Sequence, residues 1–183
     1  MPPEETSEAH DAARGNPFTA ADVAAILRER GWLAGDCSEV QQAWCERAAA
    51  MLGRHPADRA GLAELLGLVF HYDARELLGR VENHAVLARY GAREVIRELA
   101  LLLLDGQTLD SDRLKAVITA LKDGLQLRGR DLFYPLRLAL TGRIGEGELD
   151  RVILLLDRGA AAGFAGTIKR ASERILEFCA ALD

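Results

Sequence analysis

Residues 125–149 read LQLRGRDLFYPLRLALTGRIGEGEL. This stretch holds Arg128, Arg130, Arg137 and Arg143, the adjacent aromatics Phe133 and Tyr134, a proline at the head of an apolar run, and Thr141-Gly142 at its end. Gly129 permits a tight turn ahead of a short helix expected over residues 133–140. Pro135 then falls in its first turn, where a missing N–H is tolerated. Gly142, Gly145 and Gly147 make the next segment a loop. A further helix follows over residues 148–157, with Leu149, Val152, Ile153, Leu155 and Leu156 on its apolar side.

The same helical period extends outward in both directions. Upstream, Thr19 with Asp22 and Ser38 with Gln41 have capping-box spacing, each opening a helix that a glycine closes, Gly31 and Gly53. Trp44 reads as a core anchor of the second helix. Later helices are expected over residues 62–70, 77–90, 94–104 and 113–122, with a last one over 165–182. Alternating apolar and polar runs, the mark of strands, are missing. The fold class is all-α, an irregular helical array of about eight to nine helices rather than a bundle of matched lengths. Three parts are expected: an acidic disordered tail over 1–17, a helical subdomain over 18–106, and a second over 107–183.

Composition agrees with helices: 49% of the 183 residues are apolar and only 5% aromatic, so Leu, Ala, Ile and Val must fill the core. The net charge of −5 argues against a basic nucleic-acid binder taken whole. Between Arg113 and Arg143, however, seven cations (Arg113, Lys115, Lys122, Arg128, Arg130, Arg137, Arg143) face two anions (Asp123, Asp131). That bias is either an ordinary solvated face or the footprint of a phosphate backbone. Cys37, Cys45 and Cys179 show neither a CxxC pair nor spacing to histidine that suits a metal, so no cofactor or metal is expected. No apolar run reaches membrane-spanning length and the N-terminus lacks a leader pattern, which points to a cytoplasmic protein without a membrane partner.

Catalytic patterns are missing as well. The chain has no GxxxxGK[ST] loop, GxGxxG, HExxH or GxSxG. Glu146 and Glu148 lie beside Arg143 and Arg151, where surface ion pairs explain them. His71 reads as a helix-end histidine. The basic stretch is different in kind. Single-stranded RNA is held by cations at several points and by flat side chains that receive unstacked bases. Arg128, Arg130, Arg137 and Arg143 supply the first, Phe133 and Tyr134 the second. Gly145 and Gly147 allow close backbone approach.

The run Gly129-Arg130-Asp131-Leu132-Phe133-Tyr134-Pro135-Leu136-Arg137-Leu138-Ala139-Leu140-Thr141-Gly142-Arg143 resembles the GK-x-LF-x-PLR-x-ALTGR segment near the C-terminus of bacterial glutamyl-tRNA synthetases. The order Leu-Phe-x-Pro-Leu-Arg-x-Ala-Leu-Thr-Gly is not one that helix propensity produces. The flanking helices are similar in layout, and the looser likeness extends upstream to about residue 20. The resemblance implies an all-helical anticodon-binding region. The HIGH-like and KMSKS-like motifs of the family's catalytic half do not occur, so no aminoacylation activity is expected of the chain alone.

On an RNA-binding reading, Arg128, Arg130, Arg137 and Arg143 would supply phosphate contacts, and Phe133, Thr141 and the loop at Gly145 and Gly147 would lie near bases. One departure stands out. Where the family has Gly-Pro before the next helix, this chain has Glu146-Gly147, and the added negative charge opposes RNA. The first expectation is therefore a non-catalytic module binding tRNA or another structured RNA. The alternatives are a protein-interaction module that kept the fold without RNA, and a tRNA-recognition subunit working in trans with a separate synthetase.

Overall fold

A computed structural model describes residues 17–183. Among them lie ten helices and no strand: α1 (Ala20–Glu29), α2 (Glu39–Leu52), α3 (Arg59–Phe70), α4 (Ala74–Gly79), α5 (Val81–Leu87), α6 (Ala92–Leu103), α7 (Ser111–Leu125), α8 (Arg130–Thr141), α9 (Glu148–Ala160) and α10 (Ala171–Leu182). The all-α expectation is borne out. The expected tail over residues 1–17 falls, Pro17 apart, outside the described residues.

Local chemistry sets half of the helix starts. Asp22 and Gln41 return bonds to the backbone N–H of Thr19 and Ser38, completing both capping boxes. Asp58, Asp73 and Asp110 cap α3, α4 and α7 through their carboxylates, satisfying N–H groups that have no partner inside the helix.

Three of the differences from the sequence reading have a clear physical cause. The helix expected over residues 77–90 is two helices. Arg80 turns extended between them, and the carbonyls of Leu77 and Leu78 accept from the side chains of Asn83 and His84. The last helix starts at Ala171, not at 165, because the preceding segment is drawn onto the aromatic core. There Gly166 N–H donates to the Trp32 carbonyl, and a Cβ on Gly166 would come within 2.9 Å of both Trp32 and Phe70. Finally, α8 begins at Arg130, which puts Pro135 in its second turn and deprives the Asp131 carbonyl of its helical donor.

The buried residues form one cluster that runs from Val23 to Phe178. Trp32 stacks on Phe70 with ring centroids 4.6 Å apart, and Trp44 and Phe164 meet Phe70 and each other edge-on. Trp44 is buried, with its indole N–H on the Leu155 carbonyl at 3.1 Å, as a core anchor requires. The segments on either side of residue 106 pack together: α9 lies against α2 and α3, and α10 against α4 and α6. Asp157, buried on α9, ties the connection to this core by accepting from Leu109 N–H at 2.8 Å and Ala171 N–H at 2.9 Å.

A single cation organises the centre. Arg174 is fully buried and, among the described residues, makes no carboxylate contact within ion-pair distance. Its guanidinium donates instead to the carbonyls of Leu68, Val69, Leu140 and Lys169, at 2.6 to 3.0 Å, and lies 4.7 Å from the centre of the Tyr72 ring. Leu68, Val69 and Leu140 sit in the last turns of α3 and α8, where unpaired carbonyls carry partial negative charge. Two helix C-termini thus act as counter-ion to one arginine. Burial pushes its pKa down to about 10, which leaves it charged at neutral pH.

Candidate nucleic-acid interface

The residues that build the site start at the α7–α8 connection. Gln126 closes α7 in a left-handed conformation, and Gly129 opens α8 at φ 56°. Between them Leu127 turns into the core while Arg128 points to solvent. Arg128 and Lys122 border an open cleft of about 320 Å³ with Asp123, Gln126 and Gly129. Arg130 is exposed in the first turn of α8, its guanidinium 5.7 Å from the Tyr134 ring.

Phe133 and Tyr134 are half-buried on the outer side of α8. Cations flank both rings. Arg137 lies 4.7 Å and Lys122 5.5 Å from the centre of Phe133, and Arg89 lies 5.8 Å from that of Tyr134. Arg89 also pairs with Asp131, its Nε donating at 2.9 Å.

The loop after α8 folds back on the same aromatics. Gly142, at φ 80°, ends the helix in the left-handed region that glycine adopts without penalty. Thr141 is buried; its hydroxyl donates to the Arg137 carbonyl at 2.7 Å and accepts from Arg143 N–H at 3.2 Å. Arg137 donates to the Gly145 carbonyl at 3.0 Å, and Tyr134 donates to the Glu146 carboxylate at 3.2 Å. Gly145 is half-buried and Gly147 exposed. The loop is therefore continuous with the strip that runs from Arg130 and Tyr134 to Phe133 and Lys122.

The arginines of the stretch do not share one environment. Arg128, Arg130 and Arg143 are exposed; Arg143 approaches Glu64 at 3.6 Å, an exposed pair of small energetic weight. Arg137 is buried, with Asp150 gripping it at two points and Glu146 at 3.9 Å. Arg113, another of the seven cations between residues 113 and 143, is held by Asp105 and the Leu102 carbonyl. The charge facing solvent is correspondingly smaller than the sequence count. Arg89 escaped the sequence reading because it reaches the strip from 42 residues before Asp131. No local pattern announces that neighbour.

No group of three or more His, Cys, Asp or Glu converges as a metal site among the described residues. No helix there is long and apolar enough to cross a membrane. Cys45 is buried in the core, where desolvation pushes its thiol up to about 12.

The family model described as "Anticodon binding domain" matches residues 18–160, most of the chain. The chain belongs to this anticodon binding domain family. Its relatives agree with the likeness read from residues 129–143. The chain is 30% identical over 134 residues to a glutamate–tRNA ligase of Bacillus mycoides (strain KBAB4), covering 72% of this chain and 27% of that ligase. It is 29% identical over 137 residues to the glutamate–tRNA ligase of Lysinibacillus sphaericus (strain C3-41), covering 74% and 27%. For the glutamate–tRNA ligase of Bacillus subtilis (strain 168) the identity is 27% over 135 residues, with the same coverage of 74% and 27%. The chain thus spans about a quarter of the length of these curated relatives. No solved structure matches it.

Proposed function

We propose that this anticodon binding domain is a non-catalytic tRNA-binding module, and that α8 with its two flanking connections is the surface that meets RNA. Membership of the family carries the reading. The strip supplies its chemistry. Arg128 and Arg130 face solvent and are placed to meet phosphates, with Arg143 beyond the other end of α8. Along an α-helix that separation is about 20 Å, enough for several nucleotides. Phe133 offers a partly open ring, and the loop at Gly145 and Gly147 offers a backbone without bulky side chains. Arg137 and Thr141 enter this proposal as positioning residues. Both are buried, and both hold the loop after α8 in place.

Fluorescence anisotropy with labelled tRNA tests the proposal. Binding should weaken steeply with salt, because each phosphate contact releases a counter-ion. Arg128→Ala and Arg130→Ala should each flatten the logarithmic salt slope by about 1. Lack of binding to tRNA even at low salt overturns the reading.

A further inference from the structure

Tyr90 is the one exposed aromatic among the described residues, with 84% of its surface open. It stands in the turn between α5 and α6, and that turn is fixed on both sides. Before it, Arg89 is bound to Asp131 in the first turn of α8. After it, Gly91 at φ 75° presses so closely on Leu127 that a Cβ there would come within 2.6 Å of the leucine side chain. Both neighbours of Tyr90 therefore touch the segment that carries Arg128 and Arg130. The backbone is held while the ring projects into water, beside the basic end of the strip.

Core packing does not account for this ring, and no hydrogen bond, ion pair or ring contact engages it among the described interactions. A lone exposed apolar side chain is ordinary on a protein surface. A rigidly mounted aromatic next to a segment that carries exposed cations suits single-stranded RNA, since every base has a π-face to stack. Tyrosine also has few rotatable bonds, so little freedom is lost when a base lands on it.

We propose that Tyr90 is a stacking platform for one unpaired base, with Arg128 and Arg130 taking the phosphates on either side of that nucleotide. The proposal rests on the tRNA-binding reading and adds to it a position outside the α8 motif.

Tyr90→Ala and Tyr90→Phe are compared with the unchanged chain by anisotropy, on labelled tRNA and on a fully paired RNA duplex. On tRNA, Tyr90→Ala should bind roughly 5- to 150-fold more weakly, with Tyr90→Phe close to the unchanged chain, because stacking needs the ring and not the hydroxyl. The salt slope should not move, since no phosphate contact is lost. On the duplex, whose bases are already stacked, both variants should match the unchanged chain. Equal tRNA affinity for Tyr90→Ala and the unchanged chain overturns the platform and leaves the tRNA reading standing. So does an equal loss on duplex and tRNA. An unchanged chain that binds no tRNA at low salt removes the tRNA reading, and the platform with it. Thermal melting checks folding, which an exposed turn side chain should leave unaltered.

Discussion

Arg137 of α8 and Asp150 of α9 meet at two points, Nε donating to Oδ1 at 2.9 Å and Nη2 to Oδ2 at 3.1 Å. The remaining terminal nitrogen, Nη1, holds the Gly145 carbonyl, so the pair fixes both the α8–α9 packing and the loop between them. The arginine side chain is 9% exposed and the aspartate 28%. Removing one partner of such a pair strands a charge in a poorly solvated place. Arg137→Ala is expected to lower unfolding stability by about 3 kcal/mol, read by urea denaturation. Its effect on the salt slope of RNA binding should be nil, because the guanidinium is already spent inside the fold. A flattened slope with unaltered stability would make Arg137 a phosphate contact.

Glu146 lies on the proposed RNA face with 69% of its side chain exposed, joined to Tyr134. It puts a negative charge where phosphates are expected to pass. At about 7 Å in water, two unit charges repel by about 0.6 kcal/mol. Glu146→Gln should therefore tighten tRNA binding about threefold at low salt, and the gain should fade as salt rises. The substitution leaves an acceptor for the Tyr134 hydroxyl, so a loss of affinity would mean that the carboxylate itself contacts the RNA.

The sequence made local features legible and hid those that depend on distant neighbours. Both capping boxes were readable because donor and acceptor are three residues apart. The break at Arg80 was not, since the apolar spacing continues across it and the side chains of Asn83 and His84 make it tolerable. The late start of α10 was hidden for a similar reason: Gly166 is held by Trp32, far away in sequence. In the candidate site the motif located the segment, but not which arginine faces outward. Arg128 and Arg137 look alike as letters. One borders an open cleft, and the other is buried by an aspartate that a glycine loop brings back. Periodicity could not separate them, because residues 135–141 are buried on every side of the helix.

Acid should destabilise the fold through carboxylates that accept from backbone N–H groups. Asp73 is held below the usual carboxylate range by the N–H of Glu76, with Arg75 N–H adding to it. Asp105 is held down by Gln107 N–H and then by Arg113. A depressed folded-state pKa means that the unfolded chain takes up the proton first. The stabilisation is complete above the unfolded value of about 4 and is lost as pH falls through the lower folded value. The melting temperature should be level from pH 7 to about 5 with respect to these groups, then decline below about 4. Asp73→Asn should melt lower at pH 7 and lose part of the acid dependence. An unchanged acid profile in that variant would remove Asp73 as a cause.

Arg174 offers the most severe test of how the core is held. Four carbonyls, from Leu68, Val69, Leu140 and Lys169, depend on its donors, and two of the helices concerned end against it. Arg174→Met fills much of the volume but leaves buried acceptors unpaired, at about 1–3 kcal/mol for each one that water cannot reach. A total loss of at least about 4 kcal/mol is expected, large for a single substitution. Arg174→Lys should recover little, since one ammonium with three donors cannot span carbonyls on two helices as a planar fork does. Tyr72→Phe gives the milder comparison. Its hydroxyl bonds the Ala139 and Arg174 carbonyls, and its ring lies against the guanidinium. Keeping the ring and losing the hydroxyl should cost about 1–2 kcal/mol. If Arg174→Met proves as stable as the unchanged chain in urea denaturation, the helix C-termini do not need this cation, and apolar packing alone holds α3, α8 and α10 together.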